Sequence, residues 1–417
     1  MDDQEVLARQ HLEATRRYFL QAASAWGVSS ILPSVWGKEG SELSQTIADL
    51  GFYLTKSEDF YNVERHKPLG YQLPKEQRLE LGLERETWQL EVSTDPESDA
   101  KIRNPLTNEK GTSLGFGDLM QIAETKEVSF LKVMTCNNLP NPLGMGLWTG
   151  IPLREVIWLA KPDKNIRRVF YRGFHNDDPK QIFQSSLSIG RVLEDPPGEM
   201  PVILCYEFNG RPLTGERGGP VRIIVPDAYG FKSVKWIQEI YLTNNHQAND
   251  TYAKQNNDVE SPMKSFARIS NWPKEGRTIP ANQPIPVAGL VQSGMSGVSK
   301  VQYWIKPENE PPPEGDRYFE AADWKDAEIL PPPEGDWGER VTDLPELPKQ
   351  FNEDGTPREW PLRNTLAHWA VLIPGLPTGT YELRCRTVDA NGIAQPMPRP
   401  FSKSGGNAIQ KVIVKVT

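Results

Sequence analysis

The chain has 417 residues, enough for two or three domains at roughly 150 residues each. Its 47 Lys and Arg against 55 Asp and Glu leave a net charge of −8, with no basic excess to track a phosphate backbone, which argues against a nucleic-acid partner. With 37 prolines and 33 glycines the chain is punctuated by turns and strand ends, and a helical bundle is disfavoured.

In chain order, the first element reads as an address. Thr15-Arg16-Arg17-Tyr18-Phe19-Leu20-Gln21 precedes a mildly apolar stretch, residues 22–36, interrupted by serines, a glycine and Pro33. That stretch is too short and broken for the roughly 20 apolar residues of a membrane span, so no integral span is expected. The pattern is similar to a twin-arginine export signal, which implies a periplasmic protein exported already folded. Asp2, Asp3, Glu5 and Glu13 stand where such signals are usually basic, and no Ala-x-Ala site follows. Removal of this segment, taken as residues 1–40, is therefore left open.

Residues 42–88 read as irregular. Val128 to Thr135 is rich in β-branched and apolar residues and predicts a strand, which ends at Cys136 because Asn137-Asn138-Leu139-Pro140-Asn141-Pro142 cannot continue a ladder. Gly144 to Gly150 reads as a glycine-rich loop. Behind it Leu153, Val156, Ile157 and Ala160 recur at helical spacing between Pro152 and Pro162. Further strands are expected at 202–208, closed by an Asn209-Gly210 turn, and at 221–225 and 234–242. These elements make a first domain of residues 41–280. From 281 to 417 short alternating strands, such as Val301, Tyr303 and Ile305 on one face, have the spacing of an immunoglobulin-like β-sandwich. The sequence Pro-Pro-Pro-Glu-Gly-Asp occurs at 311–316 and again at 331–336 and reads as two rigid loop tips.

Three cysteines are too few and too scattered for a disulfide framework, and no histidine pair has metal-ligand spacing. Cys205 and Cys385 lie within apolar strands and read as core. Cys136, where a strand opens into a loop, is open to three readings: a nucleophile, a soft metal ligand, or a loop cysteine of no further role.

Several pieces together resemble the sulfite oxidase family of molybdenum enzymes. Thr135-Cys136-Asn137-Asn138 with Leu147-Trp148-Thr149-Gly150-Ile151-Pro152-Leu153 is similar to its ligand-cysteine segment, and Tyr206-Glu207-Phe208-Asn209-Gly210 to its hairpin. Gly218 to Pro226 with Tyr229-Gly230-Phe231-Lys232-Ser233-Val234-Lys235-Trp236 resembles its pterin-binding stretch. The resemblance implies an α+β protein: a mixed α/β molybdopterin-binding catalytic domain followed by an immunoglobulin-like dimerisation domain. It implies a molybdenum–molybdopterin cofactor, with Cys136 as the metal's thiolate. Glu64, His66, Arg217, Arg222, Ser233, Val234 and Lys235 would line the cofactor, the arginines suiting its phosphate.

Tyr252, in Asn249-Asp250-Thr251-Tyr252, is the nearest match to the family's active-site tyrosine and reads equally as a surface-loop residue. Glu64 stands where sulfite-oxidising members carry an arginine, and a carboxylate repels sulfite. The resemblance implies oxygen-atom transfer to a small, sulfur-containing substrate in a homodimer. With no haem segment visible, a separate electron carrier such as a cytochrome c is expected. Two alternatives stand beside it: a sulfoxide reductase on the same cofactor, and a secreted binding protein that kept the fold without the chemistry.

Overall fold

The computed structural model describes residues 36–64, 67–175, 178, 180–273, 275–311, 316, 319–333, 335, 337–339, 349–395 and 405–417. Arg16, Arg17, His66 and parts of both Pro-Pro-Pro-Glu-Gly-Asp copies lie outside them.

Among the described residues the first helix, α1 (Trp36–Ala48), runs across residue 40, and α2 (Lys75–Glu80) lies within the stretch that reads as irregular. Then come β1 (Gln89–Thr94), β2 (Leu114–Gly115), α3 (Phe116–Lys126), β3 (Val128–Met134), β4 (Gly144–Pro152) and α4 (Leu153–Leu159). They are followed by β5 (Arg168–Gly173), β6 (Gln184–Ser188), α5 (Ile189–Leu193), β7 (Ile203–Phe208), β8 (Arg211–Pro212), β9 (Arg222–Ile224) and β10 (Ile237–Thr243). Two five-stranded sheets result. One has the order β2-β1-β10-β5-β6, and the other runs β3-β4-β7-β8 with β9 also on β7. All these pairs are antiparallel except β1 with β10.

The segment after Cys136 corrects the sequence reading. Gly144 to Gly150 is not a loop but most of β4, paired with β3 on one side and β7 on the other. Glycine lowers strand propensity, yet a Cβ on Gly150 would stand 2.1 Å from the Leu204 carbonyl oxygen, so close backbone approach excludes a larger residue there. The Asn209-Gly210 turn forms as expected, with φ of 50° and 68°, joining β7 to β8.

The C-terminal region holds β11 (Phe266–Ile269), β12 (Arg277–Ile279), β13 (Ile285–Gln292), β14 (Lys300–Pro307), β15 (Lys325–Ile329), β16 (Leu366–Ile373), β17 (Gly379–Val388) and β18 (Gln410–Val416). They form one curled eight-stranded sheet, β11-β13-β16-β15-β14-β17-β18-β12. β15 is its corner: Lys325 to Ala327 pair with β14 while Glu328 and Ile329 pair with β16. Val287, Val291, Trp369, Val301, Leu383, Cys385 and Val414 from both arms meet in one apolar core. β11 and β12 precede residue 281 but pair inside this sheet, so the second unit begins before the boundary that composition suggests.

The two regions are joined closely. α1 lays Leu43 and Ile47 against Ala288 and Ala370 of the C-terminal sheet and Leu330 just after β15. The free edge of β3 is also covered from there. The Gln350 side chain accepts from the Leu131 N–H and donates to the Leu131 carbonyl, and the Val133 N–H donates to the Asn364 carbonyl. An edge strand's unpaired groups are thus satisfied. Among the described residues, no helix is long and apolar enough to cross a membrane.

Candidate active site

Cys136 and Tyr252, 116 positions apart in sequence, line one pocket with Arg217, Arg222, Ser233, Val234 and Lys235. β3 delivers Cys136 to the pocket at the point where its ladder stops, and the thiol is half-buried. Cys205 and Cys385 are buried, and burial pushes both thiols up to about 12. They are core residues, and Cys136 is the one cysteine placed for chemistry.

The cations come from one compact stretch. β9 pairs with β7 so that Arg222 stands opposite Cys205. The Arg222 guanidinium donates to the Arg217 and Ser233 carbonyls at 2.8 and 2.7 Å and lies 5.4 Å from the Trp148 ring. Arg217 donates to the Phe60 carbonyl at 2.6 Å and sits over the Phe60 ring. A tight turn at Gly230–Lys232 sends the chain back beside β9, where the Ile223 N–H donates to the Val234 carbonyl. Lys235 then reaches Asn62 Oδ1 and the Glu216 carbonyl.

These charges crowd one another. Burial pushes Arg222 down to about 10, with Arg217 adding to the effect. Lys235 is pushed well below the usual lysine range by burial, then by Arg222 and Arg217. The Nε atoms of Arg217 and Arg222 are buried without a hydrogen-bond partner. No carboxylate lines the pocket among the described residues. Glu216, outside the lining, pairs with Arg217 at 3.5 Å, and a site with concentrated cations, unused N–H donors and no lining carboxylate is built for an anion.

Tyr252 is not a free surface residue. Its ring stacks on Phe231 with centroids 4.3 Å apart and meets Phe183 edge-on. Asp250 Oδ1 accepts the N–H groups of Tyr252 and Ala253, fixing the turn that presents the phenol. Val234 is buried in the wall. Glu64 is placed differently: it is exposed, pairs with Lys67 at 2.9 Å, and is not among the lining residues. His66 lies outside the described residues. Phe60, Tyr61, Leu143, Phe183 and Phe231 also line the pocket. Of these, Phe183 escapes a sequence reading, since it lies in no motif and shares no period with the others.

Residues 82–251 match the family model described as an oxidoreductase molybdopterin binding domain. The chain carries a molybdopterin-binding oxidoreductase domain and is similar to the sulfite oxidase family. It is 24% identical over 286 residues to sulfite oxidase of Gallus gallus, covering 66% of this chain and 56% of that protein. It is 30% identical over 135 residues to an NADPH nitrate reductase of Fusarium oxysporum, covering 32% of this chain and 14% of that one. The chain therefore spans little more than half the length of the first relative and a small part of the second. A crystal structure of the sulfane dehydrogenase SoxCD from Paracoccus pantotrophus shares the fold, with a TM-score of 0.54 and 17% identity over 80% of this chain and 77% of that one.

The pocket fits molybdopterin. Its orphaned guanidinium nitrogens and a lining that holds cations without a carboxylate suit a phosphate, and Cys136 offers a soft sulfur donor to a metal. Among the described residues no cluster of three or more His, Cys, Asp or Glu competes as a metal site.

Proposed function

We propose that this protein is an exported, dimeric oxidoreductase that transfers an oxygen atom between water and a small sulfur-containing substrate, passing electrons to a separate carrier such as a cytochrome c. The observation that carries the reading is the meeting of Cys136 and Tyr252 in one pocket with Arg217, Arg222 and Lys235. Export rests on Arg16-Arg17-Tyr18-Phe19-Leu20. Dimerisation rests on the C-terminal sheet, whose likeness to an immunoglobulin-type dimerisation unit motivates it.

Each residue has a distinct part. Cys136 would hold the metal through Sγ. Arg217, Arg222 and Lys235 would hold the pterin phosphate through charge-assisted hydrogen bonds. When bound, the cofactor supplies the two-electron oxygen-transfer chemistry. Tyr252 carries a phenol O–H into the pocket, where it can donate to an oxygen of the substrate or hold a proton beside it. Phe60, Phe183 and Phe231 keep bulk water from the reacting end.

The test is to express the full chain in a host able to assemble and export molybdopterin proteins, and to measure molybdenum and pterin per chain. About one of each is expected, with turnover in assays using sulfite, thiosulfate, sulfoxides and nitrate. Absence of both metal and pterin would overturn the reading. Accumulation of the chain in the cytoplasm, with the arginine pair intact, would remove export from it.

A further inference from the structure

Both neighbours of Cys136 are bonded to partners beyond residue 260. Thr135 Oγ1 donates to Gln292 Oε1, and Gln292, buried at the end of β13, donates in turn to the Lys264 carbonyl at 2.9 Å. On the other side, the Asn137 carbonyl accepts the Gly406 N–H at 3.1 Å. Three residues further on, the Pro140 carbonyl accepts Arg268 Nε at 3.0 Å. Arg268 belongs to β11 and donates also to the carbonyls of Ala408 and Ala267, each at 3.0 Å. It makes no ion pair among the described residues, and its charge meets main-chain oxygens and the Phe266 ring, 4.6 Å away. Burial pushes it below its ordinary range.

This arrangement answers a problem posed by the sequence. Asn137 to Pro142 contains two prolines and forms no ladder, so its carbonyls need partners from elsewhere. Arginine's planar fork can hold two oxygens of different segments at once, which a lysine ammonium does far less well. Here it joins the thiol loop at Pro140 to the chain at Ala408, next to the Gly406 that holds Asn137. The catalytic region adds bonds of its own, from the Gly230 N–H to the Thr135 carbonyl and from the Asn137 side-chain amide to Asn257 Oδ1 at 3.1 Å.

We propose that Arg268 and Gln292 are positioning residues of the active site: the C-terminal sheet clamps the loop on both sides of Cys136 and sets where the thiol stands. The proposal rests on Cys136 being the reactive thiol of the pocket. A sheet taken for a dimerisation device thereby acts directly on the catalytic region.

The experiment uses the full chain produced without cofactor, so its result is independent of metal loading. Arg268→Met, Arg268→Lys and Gln292→Met are each treated with iodoacetamide, and alkylation is followed separately at each cysteine by mass spectrometry. Buried Cys205 and Cys385 report any general loosening of the fold. Cys136 should be alkylated about tenfold faster in Arg268→Met and in Gln292→Met, since losing a charged or buried hydrogen bond raises local opening by that order. Cys205 and Cys385 should stay protected, and Arg268→Lys should fall between wild type and Arg268→Met. The proposal is overturned if both Met variants leave the Cys136 rate within about twofold of wild type. It is equally overturned if Cys136 speeds up only in step with Cys205 and Cys385.

Discussion

Lys232 and Asp250 form an ion pair at 3.2 Å in the interior, with both side chains 1% exposed. Lys232 also donates to the Ser186 carbonyl, and Asp250 Oδ2 accepts from Ser186 Oγ. The pair is therefore the buried foundation of the turn that carries Tyr252. Asp250→Ala leaves an uncompensated buried ammonium and is expected to cost roughly 3–5 kcal/mol of stability, read by chemical denaturation. The double variant Lys232→Met/Asp250→Leu should cost less than that single change. Equal losses would show that the pair, rather than the orphaned charge, carries the energy.

Cys136→Ser should abolish turnover and lower molybdenum content while leaving the fold in place. The thiol is half-buried at a strand end, so stability should change by no more than ~0.5 kcal/mol. Metal analysis and circular dichroism check the two halves separately. Full metal occupancy with normal turnover would remove Cys136 from the site.

Gly173 lines the pocket at the end of β5. A Cβ there would lie 2.0 Å from the Lys235 carbonyl oxygen and 2.8 Å from that of Trp236. Gly173→Ala must push the Lys235 segment away, at a cost of about 1–3 kcal/mol, and should reduce pterin retained through gel filtration. Retention equal to wild type would mean that the segment yields without affecting the pocket.

Stability of the cofactor-free chain should depend on pH through buried lysines. Burial pushes Lys132 down to about 7, and Lys235 is lowered by burial and by its two arginine neighbours. In the unfolded chain a lysine keeps its proton to about 10.4. Between the depressed and the unfolded value, unfolding takes up a proton, so stability rises with pH, by up to ~1.4 kcal/mol per pH unit for each such group. Below about 7 both states of Lys132 are protonated and its contribution to the slope ends. Urea denaturation from pH 7 to 9 measures this, and Lys132→Met should flatten the profile. A wild-type stability that falls over this range would contradict it.

The part of the site legible in sequence is the part that breaks a pattern. Cys136 stands out because a β-branched run gives way to Asn and Pro, and Cys205 and Cys385 read as core because their runs continue. The cations were legible through a long ordered stretch, residues 217–235. Gly144 to Gly150 misled because local propensity discounts glycine in strands, whereas contact with Leu204 demands it. Glu64 stands at a position where the resembled family carries an arginine, but its side chain turns to Lys67 and solvent. Arg268 and Gln292 had no signal, since neither lies near Cys136 in sequence and a bond to a backbone oxygen leaves no side-chain pattern behind.

Helix α1 has a consequence for the order of assembly. Its buried apolar side chains Leu43 and Ile47 find their seats on residues 288, 330 and 370, which leave the ribosome more than 240 positions later. Until those strands exist the helix has nowhere to bury them, so the region just behind the arginine pair is seated only when nearly all of the chain has been made. A docked α1 is thus a local readout of global completion, and a chain stopped before β16 would leave that apolar stripe exposed at its amino-terminal end.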